Sequence, residues 1–371
     1  MNPLTQLAVL GQSVWLDYIR RQLLTSGELQ RLIGEDSLAG MTSNPTIFDQ
    51  AITGSHDYDE ELRALARAGK PAQEIYETLG VQDVQTAADL FRPVYDRTNG
   101  RDGFVSLEVS PRLARATEPT ITEARRLWHK VDRPNIFIKV PGTREGAPAI
   151  RELIGEGINV NVTLLFGLPS YRRSAEAYIA GIEARLARNE PVQHVASVAS
   201  FFLSRIDVLV DDMLEARARD GGPQAGIAKA LRGQVAIASA KAAYLIWKEL
   251  FEGERFRKLA AHGARPQRLL WASTGTKNPA YSDVKYVEDL VGPDTVNTMP
   301  PETLRAYRDH GEPRVRLQEG AVEARRVLEQ LAPAGIDLDQ VTQRLEDEGV
   351  EKFIKPFDHL LETIEQVKTS S

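Results

Sequence analysis

Eight short apolar, β-branched runs recur along the chain, and segments of helical periodicity separate them. They lie near Ser13–Asp17, Ala39–Ser43, Phe104–Glu108, Ile136–Val140, Ile158–Thr163, Val195–Ser200, Leu269–Ser273 and Thr295–Thr298. After the sixth run, Ile206, Leu209, Val210, Met213 and Leu214 recur at the spacing of one helical face. Ala149, Ile150, Leu153 and Ile154 do the same after the fourth. Strands alternating with helices imply right-handed βαβ units and a parallel sheet. Eight such units predict an α/β fold closed as a (β/α)8 TIM barrel; the rival is a doubly wound sheet with a helical second domain. The connections after the second and sixth strands are long enough to hold additional helices. From about Glu312 onward the pattern is helical, and Phe357, Leu360, Leu361, Ile364 and Val367 form one apolar face. The expectation is a single barrel domain over residues 1–371, with 312–371 as a C-terminal helical segment packed on the barrel.

The balance of 46 basic and 52 acidic residues leaves a net charge of −6. That argues against nonspecific nucleic-acid or anionic-membrane binding. Cysteine is absent, which excludes disulfide frameworks, Cys zinc sites and thiolate nucleophiles. The longest apolar stretch, Val235 to Trp247, is broken by Lys241 and is shorter than the ~18 residues of a spanning helix. The first nineteen residues carry no Lys or Arg and include Asp17, unlike a secretory or transit peptide. The chain therefore reads as soluble and cytoplasmic. There is no G-x-G-x-x-G, no G-x-S-x-G and no full Walker A sequence, since Gly275-Thr276-Lys277 lacks the earlier glycine. The six His residues show no metal-ligand spacing, so no metal site is expected.

The informative residues are polar ones at the C-terminal ends of apolar strands, where barrel enzymes carry their active sites. In Ile136-Phe-Ile-Lys-Val-Pro-Gly-Thr143, Lys139 sits on a strand that should be buried. A buried ammonium must be paired or lose its proton. At its ordinary pKa of ~10.4 only about 0.04% of a lysine is neutral at pH 7, yet the neutral amine is the nucleophile that forms a Schiff base. The bland alternative is a lysine in a salt bridge. Asp17 ends the first strand and Glu108 the third. One can pair with Lys139 while the other moves protons; alternatively Asp17 caps the next helix and Glu108 serves a structural ion pair. Asn159, Asn161 and Thr163 alternate, so they share one face of the fifth strand as site residues or as a polar core network. The second strand ends Met41-Thr-Ser-Asn-Pro-Thr46, which is also compatible with plain turn chemistry.

The sequence resembles the transaldolase family, and its longer bacterial branch in particular. The carrying segments are Met41–Phe48 (MTSNPTIF), Ile136–Thr143 (IFIKVPGT), Gly157–Phe166 (GINVNVTLLF), Ala199–Asp207 (ASFFLSRID) and Trp271–Pro279 (WASTGTKNP). They follow the family's order and reach from about Val14 to Pro301. That branch also occurs fused to a sugar-phosphate isomerase, and no such module is expected in this chain.

The resemblance implies a (β/α)8 barrel with no metal or organic cofactor, and transfer of a dihydroxyacetone unit between sugar phosphates in the pentose phosphate pathway. Sedoheptulose 7-phosphate and glyceraldehyde 3-phosphate would exchange with erythrose 4-phosphate and fructose 6-phosphate. It makes Lys139 the Schiff-base lysine and Asp17 the acid/base of carbon–carbon cleavage. Glu108 would activate a water, and Thr163 would position it. Asn44 and Asn161 would hold substrate hydroxyls, Ser200 and Phe202 would line the pocket, and Arg205 would bind phosphate. Beyond Ser273 the shorter branch carries an arginine, whereas here the cation is Lys277, two residues further out. The bland alternatives are a solvated loop charge for Lys277 and an ion pair with Asp207 or with a neighbouring helix for Arg205. Small-molecule sugar phosphates are the implied partners, with no nucleic acid and no membrane; homodimer and monomer both stay open. The competing functions are a Schiff-base fructose-6-phosphate aldolase and a catalytically silent sugar-phosphate-binding barrel.

Overall fold

A computed structural model describes residues 2–222 and 224–370; Met1 and Ser371, the ends of the expected 1–371 span, and Pro223 lie outside the described residues. The eight apolar runs become β1 (Gln12–Asp17), β2 (Leu38–Thr42), β3 (Phe104–Glu108), β4 (Ile136–Pro141), β5 (Val160–Leu165), β6 (Ser197–Phe202), β7 (Arg268–Ala272) and β8 (Thr295–Met299). Each pairs in parallel with its sequence neighbours, and β1 pairs with β8 to close the barrel. A sheet closed in this way has no edge, so every strand can be apolar on both faces.

The outward faces of the strands are covered by helices whose apolar stripes match the sequence. Ile206, Val210 and Leu214 of the helix Ser204–Arg219 are fully buried, with Leu209 and Met213 packed at the margin. The long connections hold additional helices: Pro45–Thr53, Asp59–Arg67 and Ala72–Arg97 follow β2, and Ser204–Arg219, Ala225–Leu231, Val235–Phe251 and Glu254–Ala260 follow β6.

Two strands begin two residues later than the sequence suggests. β5 starts at Val160 because Asn159 turns its side chain to the ladder: its Oδ1 accepts the Ala196 N–H at 2.8 Å. The residue facing it is thereby capped by a side chain, and β6 starts at Ser197. At its other end β5 carries a bulge between Val162 and Leu165, with Leu164 in the left-handed region at φ 59°.

Strand parity sorts the interior into layers. Ser13, Trp15 and Asp17 point inward from β1, and Phe104, Ser106 and Glu108 from β3. Toward the N-terminal end, Phe104 and Phe137 stack with ring centroids 4.2 Å apart and Trp15 lies against Phe137 at 6.1 Å. Gly40 gives the indole its room, since a Cβ there would fall 2.5 Å from the Trp15 ring. Below this layer Asp102 is fully engaged. It accepts from Ser13 Oγ (2.7 Å), Trp15 Nε1 (3.1 Å) and Arg268 Nη2 (2.9 Å), and Arg268 Nη1 returns to Ser13 Oγ at 2.8 Å.

The C-terminal helix, Leu338–Ser370, reaches the opposite end of the barrel. It packs on the helices Pro45–Thr53 and Ala72–Arg97 and touches β5. Its expected apolar face is the packing face: Phe357, Leu360 and Ile364 are buried, and Leu361 and Val367 are half-buried. No described helix is long and apolar enough to cross a membrane.

Removing one partner of a buried ion pair strands the other. Arg268→Met should lower unfolding stability by about 3–5 kcal/mol in urea titrations, and Arg268→Met with Asp102→Asn should recover part of that loss.

Candidate active site

β3, β4 and β5 present Glu108, Lys139 and Asn161 in register, side by side inside the barrel. Lys139 Nζ stands 3.1 Å from Glu108 Oε2 and donates to the Ser43 carbonyl at 2.9 Å. All of these atoms are buried. The contact with Glu108 is an ion pair and not an aligned hydrogen bond, and Oε1 has no protein partner. Burial pushes the Glu108 carboxyl above the ordinary carboxylate range, against the pull of Lys139, and the charge of Asp17 raises it further.

Asp17 stands at the end of β1 and caps no helix, for the next helix starts at Arg21 without a side-chain cap. Its Oδ1 accepts the Thr42 hydroxyl at 2.6 Å, and Thr42 Oγ1 lies 2.7 Å from Thr298 Oγ1. Burial raises this carboxyl too, opposed by the Thr42 hydrogen bond and by Lys139 and Arg205. Glu108, buried, and Asp17, half-buried at the cavity wall, both have raised proton affinity near one lysine, which suits them to exchange protons with it.

A cavity of about 160 Å³ opens over this layer at the C-terminal mouth of the barrel. Asp17, Asn44, Lys139, Thr163, Ser200, Phe202, Arg205, Ser273 and Lys277 all line it. Glu108 and Asn161 sit behind the lining. Asn161 is held between Ser106 and Ser200, donating Nδ2 to Ser106 Oγ (3.1 Å) and accepting from Ser200 Oγ (2.7 Å). Asn44 does both things its sequence context allows. Its Oδ1 caps the helix Pro45–Thr53 at the Ile47 N–H, and the residue still faces the cavity. Thr163 Oγ1 is buried and lacks a protein partner.

The rim is cationic. Arg205 makes no ion pair with Asp207, whose carboxylate is taken by Lys285 Nζ (2.7 Å), Tyr286 Oη (2.8 Å) and the Ala236 N–H. Its guanidinium lies over the Phe202 ring at 5.8 Å, and the buried Nη1 has no partner. Desolvation lowers its proton affinity, against Asp17 and Glu348. Lys277 lies on the loop after β7, where Ser273 takes a left-handed φ of 54° and its Oγ meets Ser204 Oγ at 2.9 Å.

Sequence reasoning missed four contributors. Thr42 and Thr298 are polar residues at strand ends, the same signal that marked Asp17, and Ser106 shares the inward face of β3 with Glu108. Phe353, from the C-terminal helix, closes one side of the cavity with its ring 5.8 Å from Lys139 Nζ. No strand pattern points to it. Among the described residues no cluster of His, Asp or Glu has the geometry to hold a metal ion.

A parallel (β/α)8 barrel with a buried lysine and two carboxyls at its C-terminal mouth defines a class of lysine-bearing barrel enzymes that act on carbonyl compounds. The family model described as transaldolase/fructose-6-phosphate aldolase matches residues 14–364, and the chain belongs to that family. It is 47% identical over 369 residues to a transaldolase of Trichodesmium erythraeum, covering 98% of this chain and 97% of the relative. It is 47% identical over 364 residues to a transaldolase of Saccharopolyspora erythraea, with 98% and 97% covered. To the transaldolase 2 of a Nostoc species it is 46% identical over 370 residues, with the same coverage.

The raised pKa of Asp17 has a stability consequence. Above its folded-state pKa the native protein carries a partly desolvated carboxylate that the unfolded chain would solvate fully. As pH falls through that value the native state takes up its proton first, and the penalty is gone below the unfolded pKa of ~3.9. Asp17→Asn should therefore raise Tm by a few degrees at pH 8, and the gain should shrink toward zero as the pH approaches the acid range in calorimetric scans.

Proposed function

We propose that this protein is a transaldolase, which removes a three-carbon dihydroxyacetone unit from a ketose phosphate and passes it to an aldose phosphate through a Schiff base on Lys139. The observation that carries this reading is the buried Lys139–Glu108 pair beside a second, half-buried carboxyl, Asp17, beneath a rim bearing Arg205 and Lys277. The names of the relatives support the same activity.

In this reading Glu108 accepts a proton from the Lys139 ammonium, which frees the amine to attack the ketose carbonyl. Its raised proton affinity suits it to that task. The proton then returns, by way of a water held at Thr163, as the carbinolamine loses hydroxide to become an iminium. Asp17 takes the proton of the hydroxyl on the far carbon of the bond that breaks, and that oxygen becomes the carbonyl oxygen of the departing aldose. The electron pair of that bond flows into the iminium, the aldose phosphate leaves, and a three-carbon enamine stays on Lys139. An incoming aldose phosphate reverses these steps. Asn44 and Asn161 hold the hydroxyls of the three-carbon unit, Ser200 and Phe202 shape its pocket, and Ser273 supports the loop that carries Lys277. Arg205 and Lys277 receive the phosphate, where charge-assisted contacts are strongest. We place the reaction in the cytoplasm, because ionised sugar phosphates do not cross bilayers unaided.

Borohydride added with fructose 6-phosphate should fix a reduced three-carbon unit on Lys139, and Lys139→Ala should abolish both labelling and transfer to erythrose 4-phosphate in a coupled assay. Asp17→Ala should instead accumulate an intact six-carbon adduct, visible by mass spectrometry, with turnover reduced by about 10²–10⁴-fold. Release of free dihydroxyacetone without transfer would favour the aldolase reading.

Steady-state kinetics separate the cations. Arg205→Ala should raise KM for fructose 6-phosphate by at least ~10-fold, the loss expected for a charge-assisted contact, and leave the response to dihydroxyacetone unchanged. Lys277→Ala should show the same pattern with a smaller change, since a lysine is a point charge without a bidentate fork.

A further inference from the structure

The C-terminal helix is clamped over the mouth of the barrel on several sides of Lys139. Arg112 pairs with Asp358 at 2.7 Å and Arg115 with Asp347 at 2.6 Å, tying the helix to the segment after β3. His359 Nδ1 lies 2.8 Å from Asp49 of the helix that follows β2. Phe357 meets Tyr76 edge-on at 5.4 Å, and Tyr76 meets Phe48 at 6.0 Å. On the β5 side the contact is close: a Cβ on Gly349 would lie 3.1 Å from Leu164 Cδ2 and 3.3 Å from Phe166 Cε2. One turn beyond Gly349, on the same helical face, Phe353 is buried against the cavity with its ring over Lys139.

The position of this ring matters because of what the amine carries between half-reactions. An enamine is lost when its nucleophilic carbon takes a proton from water. The resulting iminium then adds water, the carbon–nitrogen bond breaks with a proton going to nitrogen, and free dihydroxyacetone leaves with Lys139 restored. The water consumed equals the water released when the iminium formed, so the side reaction needs no other reactant. It needs only water at the enamine carbon. The other walls next to the amine are largely polar, built from Asp17, Asn44, Thr163 and Ser200, and hold water readily. Of the two aromatic residues in the lining, Phe202 lies under the Arg205 guanidinium and Phe353 has its ring at the amine, 5.8 Å from Lys139 Nζ.

We propose that Phe353 shields the lysine-bound three-carbon enamine from solvent protons and so sets the ratio of transfer to hydrolytic release. This rests on the transaldolase reading. Phe353 touches no reacting bond; it is a shielding residue delivered by a helix outside the eight βα units.

The test measures, in one reaction with fructose 6-phosphate and limiting erythrose 4-phosphate, the dihydroxyacetone released per transfer event. Phe353→Ala should raise this ratio about tenfold, a change of about 1.4 kcal/mol in the difference between the two barriers. Phe353→Leu, which keeps an apolar wall, should restore most of the wild-type ratio. Leu360→Ala weakens the same helix where it packs away from the cavity and should leave the ratio unchanged. An unchanged ratio in Phe353→Ala, with the three-carbon adduct still trapped on Lys139, overturns the proposal alone. An equal rise in Leu360→Ala also overturns it, because helix docking in general would then be the cause. Failure of the wild-type protein to form a borohydride-trapped adduct overturns the underlying reading and this proposal together.

Discussion

The ion pair between Lys139 and Glu108 is the interaction to which the rest of the barrel's upper half is fitted. Taking two charges out of water costs several kcal/mol per ion, and mutual attraction repays this only where geometry is good and the remaining polar atoms are satisfied. Here they are not all satisfied: Glu108 Oε1 and Thr163 Oγ1 are buried without partners. The pair's register on adjacent strands, Glu108 beside Lys139, sets the separation through the backbone ladder, and the amine also donates to the Ser43 carbonyl at 2.9 Å. What the arrangement secures is a lysine with a proton acceptor at hand.

The lower half of the same barrel shows the opposite treatment of charge. Asp102 and Arg268 are also buried, yet Asp102 accepts from three groups and Arg268 donates to Asp102, Ser13 and the Arg101 carbonyl. A buried network in which each member is satisfied rigidifies the structure. One strand supplies both ends: Ser13 joins the closed network and Asp17, four residues on, joins the open one. The period of two along a strand carries the chain from structural polarity to reactive polarity without any change of fold.

This parity explains why so much was legible in the sequence. Apolar β-branched runs located all eight strands, and polar residues at their C-terminal ends located Asp17, Glu108, Lys139 and Thr163, which the barrel gathers into one region. The boundaries of β5 and β6 were not legible, because the Asn159 side chain replaces a backbone partner and no composition signal announces that substitution. The alternatives weighed for Asp17 and Arg205, a helix cap and a pair with Asp207, turned on the neighbours each side chain meets, which local sequence does not encode. Phe353 was hidden for a different reason. It belongs to the same apolar helix face as Phe357, Leu360 and Ile364, whose spacing reports packing against something and is silent about whether that something is a core or a cavity.

The docking of that helix bears directly on the site's geometry. Its exposed ion pairs are each worth about 0–1 kcal/mol, so they orient the helix more than they hold it. Holding falls to the apolar face and to the approach at Gly349, which depends on where Leu164 points. Leu164 has a left-handed backbone, a conformation that costs about 1–3 kcal/mol for a residue other than glycine. Thr163 shares the inward face with Asn161 by ordinary alternation, and the bulge follows it: Leu164 meets the helix and Phe166 packs on Phe202 at 5.1 Å. A regular strand would carry strict alternation on through Leu164, Leu165 and Phe166, and the bulge re-aims these side chains. The strain therefore sits just past the residue that lines the cavity, where the same strand turns to meet the covering helix, and packing of the helix on Leu164 helps to sustain that conformation.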